Sequence, residues 1–279
     1  MYLFAKKNRL LEVSGLGWER QRGIWLLGVY MLRSRRQKEK EILMTYSIVN
    51  FYCFKALTQL EDIRRSWKEL ALKDGLLGTV LVAPEGINCA LSGEKAALER
   101  FVRFAHEQLE CEDLCPKWSQ ADQPPFKRLK VKIKRWIIRF AEDSDPSLEA
   151  IHEAPRWTPA EVLKALESGR DDLVVVDTRN GYETEVGAFE GAVQLPIRTF
   201  TQFPEAFLDR FRDQKDKTFL FYCTGGVRCE KVVPWAMAHG FKHATQLDGG
   251  ILKYFEEVGA KHYDKGCFVF DERVLLGSE

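Results

Sequence analysis

The chemistry most legible in this chain lies in one loop, Cys223-Thr224-Gly225-Gly226-Val227-Arg228. The loop follows the apolar run Thr218–Tyr222 and precedes a helical pattern over Cys229–His239. Cys223 therefore stands at the C-terminal end of a buried strand, where open α/β sheets place their ligands. The two glycines let the backbone curl so that N–H groups point inward. At a helix N-terminus such a nest holds an anion. A thiolate is an anion, and cysteines so placed fall from about 8.5 to between about 3.5 and 7.5. Arg228 closes the loop with a permanent positive charge. The pattern predicts a nucleophilic Cys223 assisted by Arg228, in a cradle of Thr224, Gly225, Gly226 and Val227 able to hold a persulfide. The competing reading is a structural cysteine at a strand end, against which stands the ordered run of strand, glycines, arginine and helix.

Other residues carry weaker signals. Cys229, six positions after Cys223, can resolve an oxidised thiol as a disulfide or simply pack under the loop. Asp177 and Arg179, at the end of the run Leu173–Val176, read as supports for the loop, and Glu183 as a helix-start or surface charge. Lys127, Arg128, Lys130, Lys132, Lys134 and Arg135 crowd six cations into one short segment. Lys130, Lys132 and Lys134 have strand spacing and share a face. They suit either a solvated edge strand guarded against aggregation or a stripe that tracks nucleic-acid phosphates. The five histidines form no metal triad, so no metal site is expected. With no G-x-G-x-x-G or Walker loop, no nucleotide or flavin cofactor is identified.

Two sets of elements must position these residues. Tyr46–Phe54 reads as a strand, Leu60 to Ala71 as a helix, and Gly78–Val82 as a strand. A Pro84-Glu85-Gly86 turn leads into strand Asn88–Leu91, helix Leu98 to Leu109, and a last strand over Leu129–Ile138. The order β-α-β-β-α-β is that of a ferredoxin-like α+β unit. Residues 141–155 are acidic, contain two prolines and read as a linker. Thr158-Pro159-Ala160-Glu161 is a capping box with proline at the first helical position. Beyond it strands alternate with helices, as in an α/β domain with a mainly parallel central sheet. The expected boundaries are a basic extension at 1–43, domains at 44–140 and 156–264, the linker between them, and a tail at 265–279.

Residue motifs in both halves point to one family. Asp177-Thr178-Arg179, Gly187–Ala192, the six-residue Cys223–Arg228 loop and Leu247-Asp248-Gly249-Gly250 resemble a rhodanese domain over about 156–262. With Gly78–Asn88, Pro125–Val131, Cys223–Lys231 and Cys267–Val274 added, residues 44–275 resemble the rhodanese-related tRNA uridine hydroxylase family, TrhO. The resemblance implies oxygen-dependent formation of 5-hydroxyuridine at the wobble position of tRNA, with O2 as co-substrate, the anticodon loop as partner, and an essential cysteine at Cys223. It also favours the RNA reading of the Lys127–Arg135 segment. The sequence departs from the family at Cys89-Ala90, where members usually carry Gly-Thr. Members often continue past Cys267–Asp271 into a cysteine-rich tail.

Three functions compete: an RNA-modifying hydroxylase, a sulfurtransferase that carries sulfane sulfur as a Cys223 persulfide, and a non-catalytic docking module. The intact cysteine loop argues against the third. The added domain with its basic strand favours the first over the second. Composition bounds the rest. Hydrophobic residues at 45% and charged residues at 30% are those of a globular chain. Net charge is +1, with 1–43 holding ten Lys/Arg against four Asp/Glu. Nucleic-acid affinity must therefore come from a local surface. Segment 1–43 reads as a loose extension or as an RNA-contacting arm. Its apolar stretch Gly23–Leu32 is too short to span a membrane, and neither a leader nor a membrane partner is expected. The seven cysteines are odd in number and show no disulfide framework, so free thiols in a reducing cytoplasm are expected.

Overall fold

The computed structural model describes residues 45–111, 114–141, 145–269, 271, 273 and 275–276. The basic segment 1–43, with both of its readings, lies outside them. The N-terminal half runs β1 (Tyr46–Phe54), α1 (Leu60–Lys73), β2 (Leu77–Ala83), β3 (Gly86–Gly93), α2 (Lys95–Leu109), β4 (Lys117–Ala121) and β5 (Leu129–Ile133). The sheet order is β4-β1-β3-β2-β5. All neighbours are antiparallel except β5, which joins β2 in parallel. The ferredoxin-like unit is thus closed by β4 and not by the basic strand. β4 reads Lys-Trp-Ser-Gln-Ala, a segment with little of the apolar alternation that marks a strand. The basic strand is a fifth, added at the edge, and it ends at Ile133 because the chain then turns to bury Ile137 and Phe140.

Alternation along these strands makes two different faces. Val49, Phe51 and Cys53, Val80 and Val82, and Ile87, Cys89 and Leu91 point into a core with Trp67, Leu98 and Phe101 of the helices. Asn50, Tyr52, Thr79, Leu81, Asn88 and Ala90 point the other way, toward the second half of the chain.

That half begins with the segment read as a linker. Part of it is the short helix α3 (Leu148–His152), capped by Ser147 and anchored by buried Ile151. The His152 Nε2 lies 2.8 Å from the Phe54 carbonyl oxygen. The segment is therefore docked on the first domain. Then follow β6 (Arg156–Trp157), α4 (Pro159–Glu167), β7 (Leu173–Asp177), α5 (Gly181–Thr184), β8 (Gly187–Phe189), β9 (Val193–Gln194) and α6 (Phe203–Phe211). They lead to β10 (Thr218–Tyr222), α7 (Cys229–Ala238), β11 (Ala244–Leu247), α8 (Gly250–Val258) and β12 (Tyr263–Lys265). Five strands form one sheet, β6-β11-β10-β7-β9, parallel throughout. The Thr158–Glu161 capping box starts α4 as the sequence predicts.

β10 is central, and all five of its residues are buried. Phe203, Phe207, Phe219, Phe221, Phe241 and Trp235 pack on one side of it. Truncating one such ring to alanine costs about 3–5 kcal/mol, so the strand that ends at Cys223 is held rigidly.

Cys53 at the end of β1 and Cys111 just beyond α2 form a disulfide. The expectation of free thiols throughout fails at this pair, because spacing in sequence does not reveal which distant elements meet. Cys89, Cys115, Cys223, Cys229 and Cys267 are free. Among the described residues no helix is long and apolar enough to cross a membrane, and no group of three or more His, Cys, Asp and Glu side chains could hold a metal ion.

Candidate active site

Cys223 is buried at the end of β10, and its sulfur accepts a hydrogen bond from the Gly226 N–H at 3.1 Å. The loop needs glycine at Gly226, where φ is +96° and a Cβ would come within 2.7 Å of the Tyr52 hydroxyl oxygen. Gly250 is the second such position. A Cβ there would meet the Cys223 carbonyl oxygen at 2.5 Å. This closeness lets the start of α8 hold the loop: the N–H groups of Ile251 and Leu252 donate to the carbonyls of Cys223 and Thr224 at 3.0 and 3.1 Å.

Burial alone would raise the Cys223 pKa. The Cys229 thiol, the Arg228 guanidinium and the backbone N–H groups of Arg228 and Gly226 outweigh it and bring the value down to about 6. Cys229 moves the opposite way, pushed well up by its own burial and by the neighbouring Cys223. Its sulfur lies 3.7 Å from the Thr178 hydroxyl. The geometry thus pairs a thiolate with a thiol that keeps its proton.

Arg228 is not a lone cation. Its guanidinium donates to both carboxylate oxygens of Glu183, at 2.9 and 3.1 Å, and both side chains are buried. Glu183 also accepts the Asn180 N–H at 3.0 Å, so it does start a helix, but it is not a surface charge. Asp177 and Arg179 form a fully buried pair with contacts of 2.6 to 3.1 Å, and Arg179 also donates to the Gly187 carbonyl at 2.6 Å. They brace the strand ends beneath the loop and do not line the cavity described next.

In front of Cys223 lies a cavity of about 410 Å³. Thr224, Gly225, Val227 and Arg228 line it on one side. The sheet face of the first domain forms its floor, with Asn50, Tyr52, Thr79, Leu81, Asn88 and Ala90. Strand register orders that floor into rows. One runs Lys117-Asn50-Ala90-Thr79-Lys130 across β4, β1, β3, β2 and β5. The next runs Tyr52-Asn88-Leu81-Lys132. Partners in register project to the same face, so Lys130 and Lys132 edge the floor. Lys127, Arg128, Lys132, Lys134 and Arg135 are exposed and Lys130 half-buried. The Arg135 guanidinium lies 4.3 Å from the Trp136 ring centre. Ala90 lies in the middle of the floor, between Asn50 and Thr79.

The domains are clamped beside the cavity. Lys231, fully buried in the first turn of α7, donates to Glu85 at 2.8 Å and Asp145 at 3.0 Å. Glu85 also accepts the Ile137 N–H at 2.7 Å. The Tyr52 hydroxyl donates to Glu230 at 2.8 Å. The Pro84-Glu85-Gly86 turn therefore serves as a dock, while Asn88 lines the cavity. Sequence reasoning gave no role to Asn50, Tyr52 and Lys117, and took in Glu230 and Lys231 only as part of the Cys223–Lys231 motif. The one local signal was the polar-aromatic face of β1, which reads equally well as a solvent face.

Residues 46–137 match the family model described as the UPF0176 acylphosphatase like domain, and residues 158–257 match the Rhodanese-like domain. A tRNA uridine(34) hydroxylase of Bordetella pertussis is 43% identical over 236 residues, spanning 82% of this chain and 96% of the relative. The chain belongs to the tRNA uridine(34) hydroxylase family. A member from Ralstonia nicotianae is 42% identical over 235 residues, 83% of either chain. A solved structure from Rhodopseudomonas palustris, of unknown function and described as a possible tyrosine phosphatase, is 29% identical, with a TM-score of 0.34, over 39% of this chain and 84% of that one.

Proposed function

We propose that this chain hydroxylates uridine 34 of tRNA, with Cys223 as the essential thiol, O2 as co-substrate and 5-hydroxyuridine as product. The observation that carries the reading is the shared cavity, in which the Cys223 loop faces a sheet floor edged by Lys130 and Lys132. A wobble base belongs to a single-stranded loop and can be splayed out without breaking a duplex. Anticodon phosphates then follow the Lys127–Arg135 segment while the base enters toward Cys223. Arg228, held by Glu183, and the Gly226 N–H keep the thiol ionised. Asp177 and Arg179 support the strand ends, and Cys229 supplies a protonated neighbour.

The test is nucleoside mass spectrometry of tRNA from a strain lacking the gene. Wild-type protein restores 5-hydroxyuridine, Cys223→Ser does not, and the added oxygen carries the label when the dioxygen supplied is the heavy isotope. If the wild-type protein restores nothing, the reading is wrong. The depressed Cys223 pKa also favours a persulfide, and with it the sulfurtransferase reading. Sulfur in place of oxygen in the modified nucleoside would select that second reading.

A further inference from the structure

Lys117 sits at the inner end of the cavity floor, directly opposite Asn50 across the β4–β1 pair. It is only 5% exposed. Among the described residues its ammonium has no hydrogen-bond or ion-pair partner and lies 4.6 Å from the centre of the Tyr52 ring. Burial lowers its pKa, against the pull of the nearby Cys115, Asp248, Glu230 and Cys223. The nearby carboxylates are engaged elsewhere. Glu230 accepts from Tyr52, Arg156 and Gln246, and Asp248 accepts from Lys253. A charge this far from bulk water without a hydrogen-bond partner is costly, and the Lys117 ammonium opens onto the cavity, where a ligand would supply the missing acceptor. The Asn50 amide beside it, half-buried, also makes no hydrogen bond among the described residues.

The two free groups have complementary chemistry. An ammonium offers donors only, while an amide offers a donor and an acceptor. Uracil presents the matching edge of two carbonyl oxygens flanking an N–H. Cytosine puts an amino group where uracil has its O4 oxygen, so an ammonium there would meet a second donor. The cations at the opposite edge of the floor, half-buried Lys130 and exposed Lys132, leave the phosphates a separate place to bind.

We infer that Lys117 and Asn50 hold the carbonyl edge of the substrate base, and that Lys117 sets the preference for uridine over cytidine at the reacting position. The inference rests on the reading of the cavity as a uridine site. Lys117 is a substrate-contacting residue of that site and does not act through Cys223.

The test measures the affinity of the full chain for anticodon stem-loops carrying U34 or C34, without oxygen so that binding is read apart from turnover. Wild-type protein is expected to favour U34 by about ten-fold or more, the worth of one charge-assisted hydrogen bond. Lys117→Met keeps the side-chain length and removes the buried charge. It should bring the ratio to about one, leave C34 affinity unchanged and leave the thermal midpoint no lower. Lys117→Gln gives the same reading if the methionine variant fails to fold. Three results would overturn the inference: a wild-type protein without preference, a folded variant that keeps the wild-type ratio, or a variant that loses U34 and C34 affinity equally. A rise of more than about one unit in the alkylation midpoint of Cys223 in Lys117→Met would also overturn it, by showing that Lys117 works through the thiol. Absence of 5-hydroxyuridine from aerobic wild-type reactions would instead count against the hydroxylase reading, and the binding ratio would still decide the role of Lys117.

Discussion

Replacing Glu183 by glutamine separates stability from thiol chemistry. Glu183 is 0% exposed and the Arg228 side chain 8%, and the two lie 2.9 and 3.1 Å apart at their hydrogen bonds. Glutamine keeps the shape and one acceptor but removes the carboxylate charge that buried Arg228 faces. Breaking such a pair from one side costs about 3–5 kcal/mol. For a body of this size, each kcal/mol moves the melting temperature by about 2–4 °C, so the midpoint should fall by about 6–20 °C. The thiol should respond in the favourable direction. Without the carboxylate, more of the Arg228 field reaches Cys223, and its pKa should drop below the wild-type value of about 6. Differential scanning fluorimetry reads the first effect, and the pH dependence of iodoacetamide alkylation reads the second. A variant that is less stable, with a Cys223 midpoint unchanged or raised, would refute the claim that Arg228 holds the thiolate electrostatically.

Cys223 alkylation in the wild-type protein should rise with a midpoint near 6, and a midpoint at the ordinary thiol value of about 8.5 would remove the cradle. Because the folded pKa is depressed, the thiolate contributes stability in full above the unfolded value and loses it as pH falls through about 6. Urea unfolding of wild type and Cys223→Ser should therefore diverge as pH rises from 6 toward 8.5. Replacing Lys130, Lys132 and Lys134 by glutamate should weaken tRNA binding and flatten its dependence on log salt by about 0.7–0.9 for each phosphate no longer neutralised; unchanged affinity would move the tRNA to another surface. Gly226→Ala must meet the Tyr52 hydroxyl oxygen at 2.7 Å with φ at +96°. It should leave the fold soluble but raise the Cys223 midpoint by displacing the Gly226 N–H, which a titration identical to wild type would contradict.

Local pattern carried much of this protein. The Cys223–Arg228 loop, the Thr158–Glu161 capping box and the buried run Thr218–Tyr222 are legible because each is made by neighbours in sequence, through turn chemistry, caps and periodicity. Alternation along β1 also separates Val49 and Phe51 from Asn50 and Tyr52, but it does not say what the second face meets. Tertiary structure alone decided that this face looks across a cavity at Cys223, because the interactions that fix it join residues far apart in the chain. Glu85 reaches Lys231, Tyr52 reaches Glu230, and Glu183 reaches Arg228. A one-residue shift of the β4–β1 register would turn Lys117 to the opposite face and remove it from the floor. That register is set by cross-strand pairing and by what each face packs against, so the sequence gives Lys117 no place, and only the folded chain puts it on the floor of the cavity that Cys223 also lines.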